Sequence, residues 1–217
     1  MAGTLDLFEH EPGPPEPIAE GAYLLRGFAT DISTQLLNDL QHIAEAAPFR
    51  HQVTPGGYSM SVAMTSCGEL GWVTDKRGYR YSPVDPQSNQ PWPALPESFE
   101  QLAIDAAATA GYPQFSAQSC LINRYETGAR MALHQDKDEQ DLTAPIVSVS
   151  LGAPISFLFG GPTRSHQPAR VKIEHGDVLV WGGPSRLFFH GVAPLGKRAD
   201  HPLTGPVRYN LTFRKVL

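Results

Sequence analysis

The segment Arg208-Tyr209-Asn210-Leu211-Thr212-Phe213-Arg214 has the period of a β-strand, yet carries arginine where a core would normally close. Side chains of an extended strand alternate faces. Tyr209, Leu211 and Phe213 therefore share an ordinary apolar face, while Arg208, Asn210, Thr212 and Arg214 share the other. Two guanidinium groups on one inward face call for an anion, and a dicarboxylate suits them, because guanidinium pairs bidentately with carboxylate. Upstream, His134 and Asp136 alternate in the same way and project together. With the distant His190 they form a 2-His-1-carboxylate set, the ligand type of non-haem Fe(II) oxygenases.

Working outward from this strand, the chain reads as β from Ala117 onward. Short runs recur at Ser119–Tyr125, Ile146–Leu151, Ile155–Phe159, Arg170–Ile173, Asp177–Trp181, Arg186–His190 and Val207–Phe213. Turn signals such as Glu126-Thr127-Gly128, Gly160-Gly161-Pro162, His175-Gly176-Asp177 and Gly182-Gly183-Pro184 separate them. Many short strands at regular spacing predict two antiparallel sheets in a jelly roll. Two helices are expected earlier. Leu36, Leu37, Leu40, Ile43, Ala44 and Ala47 fall at helical spacing over 33–47, with Asp31 or Ser33 as cap and Pro48 as stop. Phe99, Leu102, Ala103, Ala106, Ala107 and Ala110 do the same over 96–110, with Pro96 in the first turn and Gly111 at the end.

Between the helices, residues 53–93 are rich in Gly, Pro, Ser and Thr and carry Tyr58, Trp72, Tyr79, Tyr81 and Trp92, the pattern of a lid with aromatic contacts. Residues 9–17, Glu-His-Glu-Pro-Gly-Pro-Pro-Glu-Pro, are too acidic and proline-dense to pack. The expected organisation is thus a flexible tail over 1–17 and a single domain over 18–217, its lid at about 50–93 and its jelly-roll core at about 117–217.

At 217 residues the chain is long enough for one substantial core. Hydrophobic content of 41% and charged content of 18% fit a soluble globular protein. The net charge of −5 excludes nucleic-acid binding through a broad basic field and leaves room for a local groove. Two cysteines, Cys67 and Cys120, make no disulfide framework and read as reduced thiols in a cytoplasmic protein. No apolar run approaches a membrane span, and the acidic N-terminus has no signal-peptide pattern. A monomer with no membrane association is expected.

Taken singly, each site motif has an ordinary reading. His134 and Asp136 fit two solvent-facing residues of a polar loop, and His190, after Leu187-Phe188-Phe189, fits a satisfied core histidine. Asn123 and Tyr125 fit the polar face of a half-exposed strand, or else hydrogen bonding to the same anion. Trp72 fits a lid-core aromatic. The combination changes this, since distant strands of a jelly roll meet at one mouth. Zinc stays open at this level, because zinc hydrolases also use His and carboxylate ligands. The arginine pair favours iron, because a hydrolase has no need of an anionic cosubstrate.

The sequence resembles the AlkB family of Fe(II)/2-oxoglutarate-dependent dioxygenases, above all its bacterial members, from about residue 18 to the C-terminus. The resemblance is carried by Thr54-Pro55-Gly56-Gly57-Tyr58, Leu70-Gly71-Trp72, Tyr79-Arg80-Tyr81-Ser82-Pro83, Leu121-Ile122-Asn123-Arg124-Tyr125, His134-Gln135-Asp136-Lys137-Asp138-Glu139, Ser148-Val149-Ser150-Leu151-Gly152, His175-Gly176-Asp177-Val178 and the 208–214 strand. It implies an α+β, mainly β fold: a double-stranded β-helix (jelly roll) core with N-terminal helices and a nucleotide-recognition lid. It implies iron on His134, Asp136 and His190 as the catalytic centre, with O2 as co-reactant. It places the distal carboxylate of 2-oxoglutarate on Arg208, aided by Tyr125 and Asn210, and the metal-side carboxylate near Arg214 and Asn123. A base stacks on Trp72 and against His134, with Asp138 and Glu139 near its exocyclic nitrogen. Thr54, Tyr58, Tyr79 and Arg164 match positions near backbone phosphates or the lid. The implied reaction removes methyl groups from N-alkylated bases, such as 1-methyladenine and 3-methylcytosine, in single-stranded DNA or RNA. It consumes 2-oxoglutarate and O2 and releases succinate, CO2 and formaldehyde, a direct reversal of DNA alkylation damage.

Physical chemistry points the same way. Methylation at these ring nitrogens makes the base cationic; a cation is attracted to a Trp face and to a carboxylate such as Asp138. A damaged base also pairs poorly, so extruding it costs less. A dioxygenase acting on a protein or small molecule, and a catalytically silent jelly-roll binding module, are the competing readings. Methylated oligonucleotides test the first; metal content and succinate release test the second.

Overall fold

The computed structural model describes residues 13–217. The chain opens with a hairpin, β1 (Glu16–Ala19) and β2 (Ala22–Leu25), followed by helix α1 (Ser33–Ala46). Strands β3 (Arg50–Val53), β4 (Ser59–Gly68), β5 (Gly71–Asp75) and β6 (Gly78–Ser82) precede helix α2 (Glu97–Thr109). The remainder is β: β7 (Ser119–Tyr125), β8 (Met131–His134), β9 (Ile146–Gly152), β10 (Ile155–Phe159), β11 (Ala169–Ile173), β12 (Val178–Trp181), β13 (His190–Val192) and β14 (Arg208–Arg214), with a short 3-10 turn at Gly183–Ser185.

These strands form an eight-stranded sheet in the order β1-β2-β12-β9-β14-β7-β4-β3, a four-stranded sheet β11-β10-β13-β8, and the separate β5–β6 hairpin. Strand parity distributes the side chains between layers. On the large sheet Ile122, Val147, Val149, Leu151, Val178, Val180, Leu211 and Phe213 face Leu36, Leu40 and Ile43 of α1 and Phe99, Leu102 and Ala106 of α2. Phe213 meets Phe99 edge-on with ring centroids 5.9 Å apart. The alternate positions Leu121, Tyr125, Ile146, Leu179 and Trp181 face the small sheet through Ile155, Phe157, Phe159 and Val192. The result is the mainly β jelly roll that the sequence predicts, and its two helices cover the outer face of the large sheet.

Both helices fall where their apolar spacing places them, but their N-termini differ from expectation. Ile32 occupies the α1 cap position with no side-chain cap, so neither Asp31 nor Ser33 caps; Ser33 is buried and its N–H bonds to the Thr30 carbonyl. Pro96 is the residue before α2 rather than in its first turn, and Glu97 and Glu100 supply negative charge there. Gly111, at φ +90°, ends α2 while Tyr112 N–H reaches back to the Ala107 carbonyl.

Three further boundaries move. Of the expected tail over 1–17, residues 1–12 lie outside the described residues, while Glu16 and Pro17 open β1. Glu16 accepts from Arg26 at 3.2 Å. The expected lid over 50–93 divides in two. β3 and β4 belong to the large sheet, with β4 paired to β7 from Ala63 to Gly68, so the flap proper is the β5–β6 hairpin and the loop after it. Finally, Arg186–His190 is not a strand: Gly183 (φ +51°) and Pro184 set a 3-10 turn, Phe188 N–H returns to the Ser185 carbonyl, and extension begins at His190. Its partner β8, which ends on His134, occupies a stretch the sequence reads as a polar loop.

Candidate active site

A cavity of about 510 Å³ opens between the two sheets and beneath the flap. His134 closes β8 and His190 opens β13, and antiparallel pairing sets the two residues opposite each other. Their rings lie 4.4 Å apart between centroids. Asp136 enters from the loop after β8: its Oδ1 is 3.5 Å from His134 Nε2 and its Oδ2 is 3.8 Å from His190 Nε2. One ligand atom from each residue falls within 4.8 Å of the others.

The backbone aims these groups. His134 Nδ1 lies 2.9 Å from the Ala132 carbonyl and His190 Nδ1 lies 3.0 Å from the Phe188 carbonyl. A carbonyl only accepts, so each Nδ1 carries the proton and each Nε2 presents a lone pair, the arrangement of a metal-ligating histidine. Burial, together with the neighbouring His134, pushes His190 down to about 4, which keeps it neutral. Burial opposes ionisation of Asp136, but the Arg214 guanidinium together with His134 and His190 outweighs burial and holds the carboxyl well below its usual range. Burial likewise lowers His134, but the Asp136 carboxylate, through hydrogen bonding and charge, and the Ala132 carbonyl together more than offset it, so the His134 pKa is raised. The set offers two imidazole nitrogens and one carboxylate in a shielded site, suited to a divalent cation with open coordination positions.

β14 supplies the cationic wall, with Arg208, Asn210, Thr212 and Arg214 all buried on the inward face. Arg208 stands over the Tyr125 ring at 5.0 Å and donates to Ser150 Oγ at 2.8 Å. Among the described residues its Nε and Nη1 have no acceptor. Burial lowers the Arg208 pKa, and no carboxylate compensates. Arg214, by contrast, donates to Asp136 Oδ2 at 2.7 Å and faces Glu139 Oε1 at 3.3 Å, with only Nη1 unpartnered. Asn210 donates to Ser148 Oγ at 2.8 Å and accepts from Thr212 Oγ1 at 2.9 Å, while Asn123 Oδ1 is left without a donor. Buried polar groups are rarely left orphaned. Unanswered guanidinium N–H groups beside a candidate metal set fit a small dicarboxylate, so the residues present fit both iron and 2-oxoglutarate.

The flap forms the other wall. Trp72 of β5 stacks on Tyr79 of β6, centroids 5.5 Å apart and planes 15° apart, and its Nε1–H donates to Asp138 Oδ2 at 2.9 Å. Trp72, Tyr79, Tyr81, Asp138 and Arg164 all line the cavity. Arg164 sits over the Phe189 ring at 5.1 Å. Thr54 and Tyr58 lie apart, on the β3–β4 turn, where Thr54 Oγ1 accepts the Tyr58 N–H at 3.1 Å and Tyr58 is 78% exposed.

Glu139 also lines the cavity, but it is tied into a buried ion-pair network. Its side chain is 1% exposed and its oxygens are engaged by Tyr81 Oη–H at 2.6 Å, Arg186 Nη2 at 3.1 Å and Arg214 Nε.

Sequence reasoning missed several contributors. Ser148 and Ser150 share the inward parity of β9, a signal present in the Ser-x-Ser spacing. Met60 and Met131 line the cavity, and Trp181 turns an indole Nε1–H without an acceptor into the interior. Arg186 carries no local signal of any kind.

Comparison with known proteins agrees with this geometry. Residues 21–214 match the family model of the 2OG-Fe(II) oxygenase superfamily. The chain is 59% identical over 212 residues to the alpha-ketoglutarate-dependent dioxygenase AlkB of Escherichia coli, covering 98% of each chain. It is 30% identical over 145 residues to the human nucleic acid dioxygenase ALKBH1, covering 64% of this chain and 37% of that one. Among solved structures, that of OsALKBH1 superposes with a TM-score of 0.82 at 30% identity, covering 93% of this chain and 100% of the other.

Proposed function

The chain belongs to the AlkB family of the 2OG-Fe(II) oxygenase superfamily, and from that premise we propose that it removes N-methyl groups oxidatively from alkylated nucleic-acid bases. It is a Fe(II)/2-oxoglutarate-dependent dioxygenase. The observation that carries the reading is one cavity holding the His134/Asp136/His190 set, an Arg208 with unanswered donors, and a Trp72–Asp138 pair at its mouth.

Bound Fe(II) would supply O2 activation coupled to conversion of 2-oxoglutarate to succinate and CO2, and the oxidised methyl carbon would leave as formaldehyde. His134, Asp136 and His190 hold the ion. Arg208 takes the far carboxylate of 2-oxoglutarate, with Tyr125 and Asn210 fixing it, and Arg214 and Asn123 border its metal-side carboxylate. The protein's contribution is placement and exclusion of water.

Trp72 supplies the stacking face for an extruded base. Asp138 adds a negative charge that prefers a cationic lesion, 1-methyladenine or 3-methylcytosine, over a neutral base. Thr54, Tyr58, Tyr79 and Arg164 approach the strand on either side of that base. Single-stranded DNA or RNA is the favoured form, because a protein of net charge −5 relies on the base rather than on a broad phosphate grip. The reading extends to a cytoplasmic monomer, with Cys67 and Cys120 as free buried thiols that fit a reducing compartment.

Formaldehyde release from oligonucleotides carrying single defined lesions is the test. Release from 1-methyladenine or 3-methylcytosine, dependent on Fe(II) and 2-oxoglutarate, is expected. Succinate formation without any nucleic-acid product would redirect the search to proteins and small molecules.

A further inference from the structure

We propose that Arg186 is a positioning residue for the metal centre. It ties the segment that carries His190 to the loop that carries Asp136 and thereby sets the separation of the three ligands before an ion arrives. The proposal rests on the assignment of the metal to His134, Asp136 and His190.

Residues 135–145, which include Asp136, form neither helix nor strand. Their carbonyls have no ladder to donate to them, and buried ones need donors from elsewhere. Arg186 supplies these donors. It is 3% exposed, and its Nη1 donates to the Asp136 carbonyl at 2.7 Å. Its Nε donates to the Ala144 carbonyl at 2.9 Å and its Nη2 to Glu139 Oε2 at 3.1 Å. A guanidinium is a rigid planar fork, so one side chain fixes both ends and the middle of the loop relative to one another.

The other end of the tie is equally fixed. Arg186 closes the Gly183–Ser185 turn, Ser185 Oγ donates to the Glu20 carbonyl at 2.6 Å, and Phe188, whose carbonyl orients His190, bonds back to Ser185. Gln135 Nε2 makes a second tie, to the Leu187 carbonyl at 2.6 Å. The ladder between β8 and β13 cannot do this alone, because it comprises only His190 opposite His134 and Val192 opposite Met131, with a register shift between them.

Stability by itself does not account for the arrangement. A buried Arg–Glu pair is costly to desolvate, and an apolar pair of similar volume is often at least as stable. An apolar side chain, however, cannot hold the carbonyls of Asp136 and Ala144. Glu139, which balances Arg186, also faces Arg214 on Asp136 and accepts from Tyr81 of the flap, so the tie extends from the metal carboxylate to the flap.

The test measures metal binding directly. Co(II) is titrated into wild type, Arg186→Lys, Arg186→Met and Asp136→Ala, with fold checked by circular dichroism. Lysine keeps the charge but not the fork. Both Arg186 variants should bind Co(II) about 10–100-fold more weakly, the usual effect of losing an outer-shell partner. In both, 2-oxoglutarate affinity at saturating metal should stay within about threefold of wild type, and turnover at saturating Fe(II) should largely recover. Wild-type Co(II) affinity in either folded Arg186 variant overturns the proposal. Should both variants fail to fold, Gln135→Ala, which removes the second, accessible tie, should weaken Co(II) by at least about threefold, and an unchanged affinity there overturns it equally. Unchanged binding in Asp136→Ala points instead to the ligand assignment as the error.

Discussion

β14 presents Arg208, Asn210, Thr212 and Arg214 from a strand bonded on both sides, to β7 and β9, and buried along almost its whole length. The β5–β6 hairpin, which presents Trp72 and Tyr79, has no ladder partner outside itself, and Tyr79 is 49% exposed. The two walls of one cavity thus differ in what fixes them. The wall proposed to bind the anion is held by backbone ladders that cannot shift singly. The wall proposed to face the base is held by side-chain contacts, Trp72 to Asp138 and Tyr81 to Glu139, that can break and reform. A small invariant cosubstrate suits the first, and a strand of variable sequence suits the second. Isolated two-stranded hairpins are marginal in stability, which leaves the flap free to adjust.

If the walls divide the work in this way, substitutions on each should have separable effects. The largest belongs to the metal. Asp136→Ala removes a ligand and leaves Arg214 short of its shortest partner, so metal binding and formaldehyde release should fall by more than about 10²-fold. Bound Co(II) and product measured on the same preparation check this, and full activity there contradicts the triad.

Next is Arg208→Ala, which should weaken 2-oxoglutarate binding by roughly 10²–10⁴-fold, since removing one partner of a buried charge pair costs about 3–5 kcal/mol. Lysine should restore only part of it. Ligand-free Arg208→Met should melt no more than about 2 °C below wild type, because the guanidinium has no counter-charge there. A titration showing under threefold change would mean that the anion sits elsewhere.

On the opposite wall, Trp72→Ala should lose about 1–3 kcal/mol of oligonucleotide binding and leave 2-oxoglutarate affinity within about threefold. Equal losses of both ligands would erase the distinction between the walls. Asp138→Asn should lower the ratio of cationic to neutral lesion turnover by a few fold, on the order of 1 kcal/mol, because only the cationic lesion loses a Coulomb partner. A ratio that does not move assigns selectivity to pocket shape. The smallest effect is that of salt. Two or three phosphate contacts on a single strand give a log–log slope of roughly −1.5 to −2, and a much steeper slope measured by fluorescence anisotropy argues for a wider basic surface than the sequence allows.

The same contrast governs how much could be read in advance. β14, β9, β7 and both helices follow from periodicity, because a strand or helix buried on a defined face repeats its pattern locally. The flap and the 131–145 region were less legible. β8 is four residues long, half-buried and polar at its end, and the loop after it takes its shape from distant donors. Arg186–His190 looked like a strand because three apolar residues precede His190, yet Pro184 and Gly183 turn the chain there. Cys67 and Cys120, far apart in sequence, stand directly opposite each other on β4 and β7 as free thiols, a proximity that no spacing rule conveys.

The sequence by itself determined the strand and helix faces, the inward polar register of β14, the residue types of the metal set and the family. These are consequences of local alternation and of side-chain chemistry, which are written residue by residue. Only the tertiary structure decided that Glu139 is committed to Tyr81, Arg186 and Arg214, that Arg208 has no carboxylate beside it while Arg214 is paired with Asp136 and Glu139, and that β4 is core while β5 and β6 are flap. The reason is physical. Which acceptor answers a buried guanidinium depends on which segments pack beside it, and this is fixed by long-range ladder pairing rather than by any residue's own neighbours in the chain.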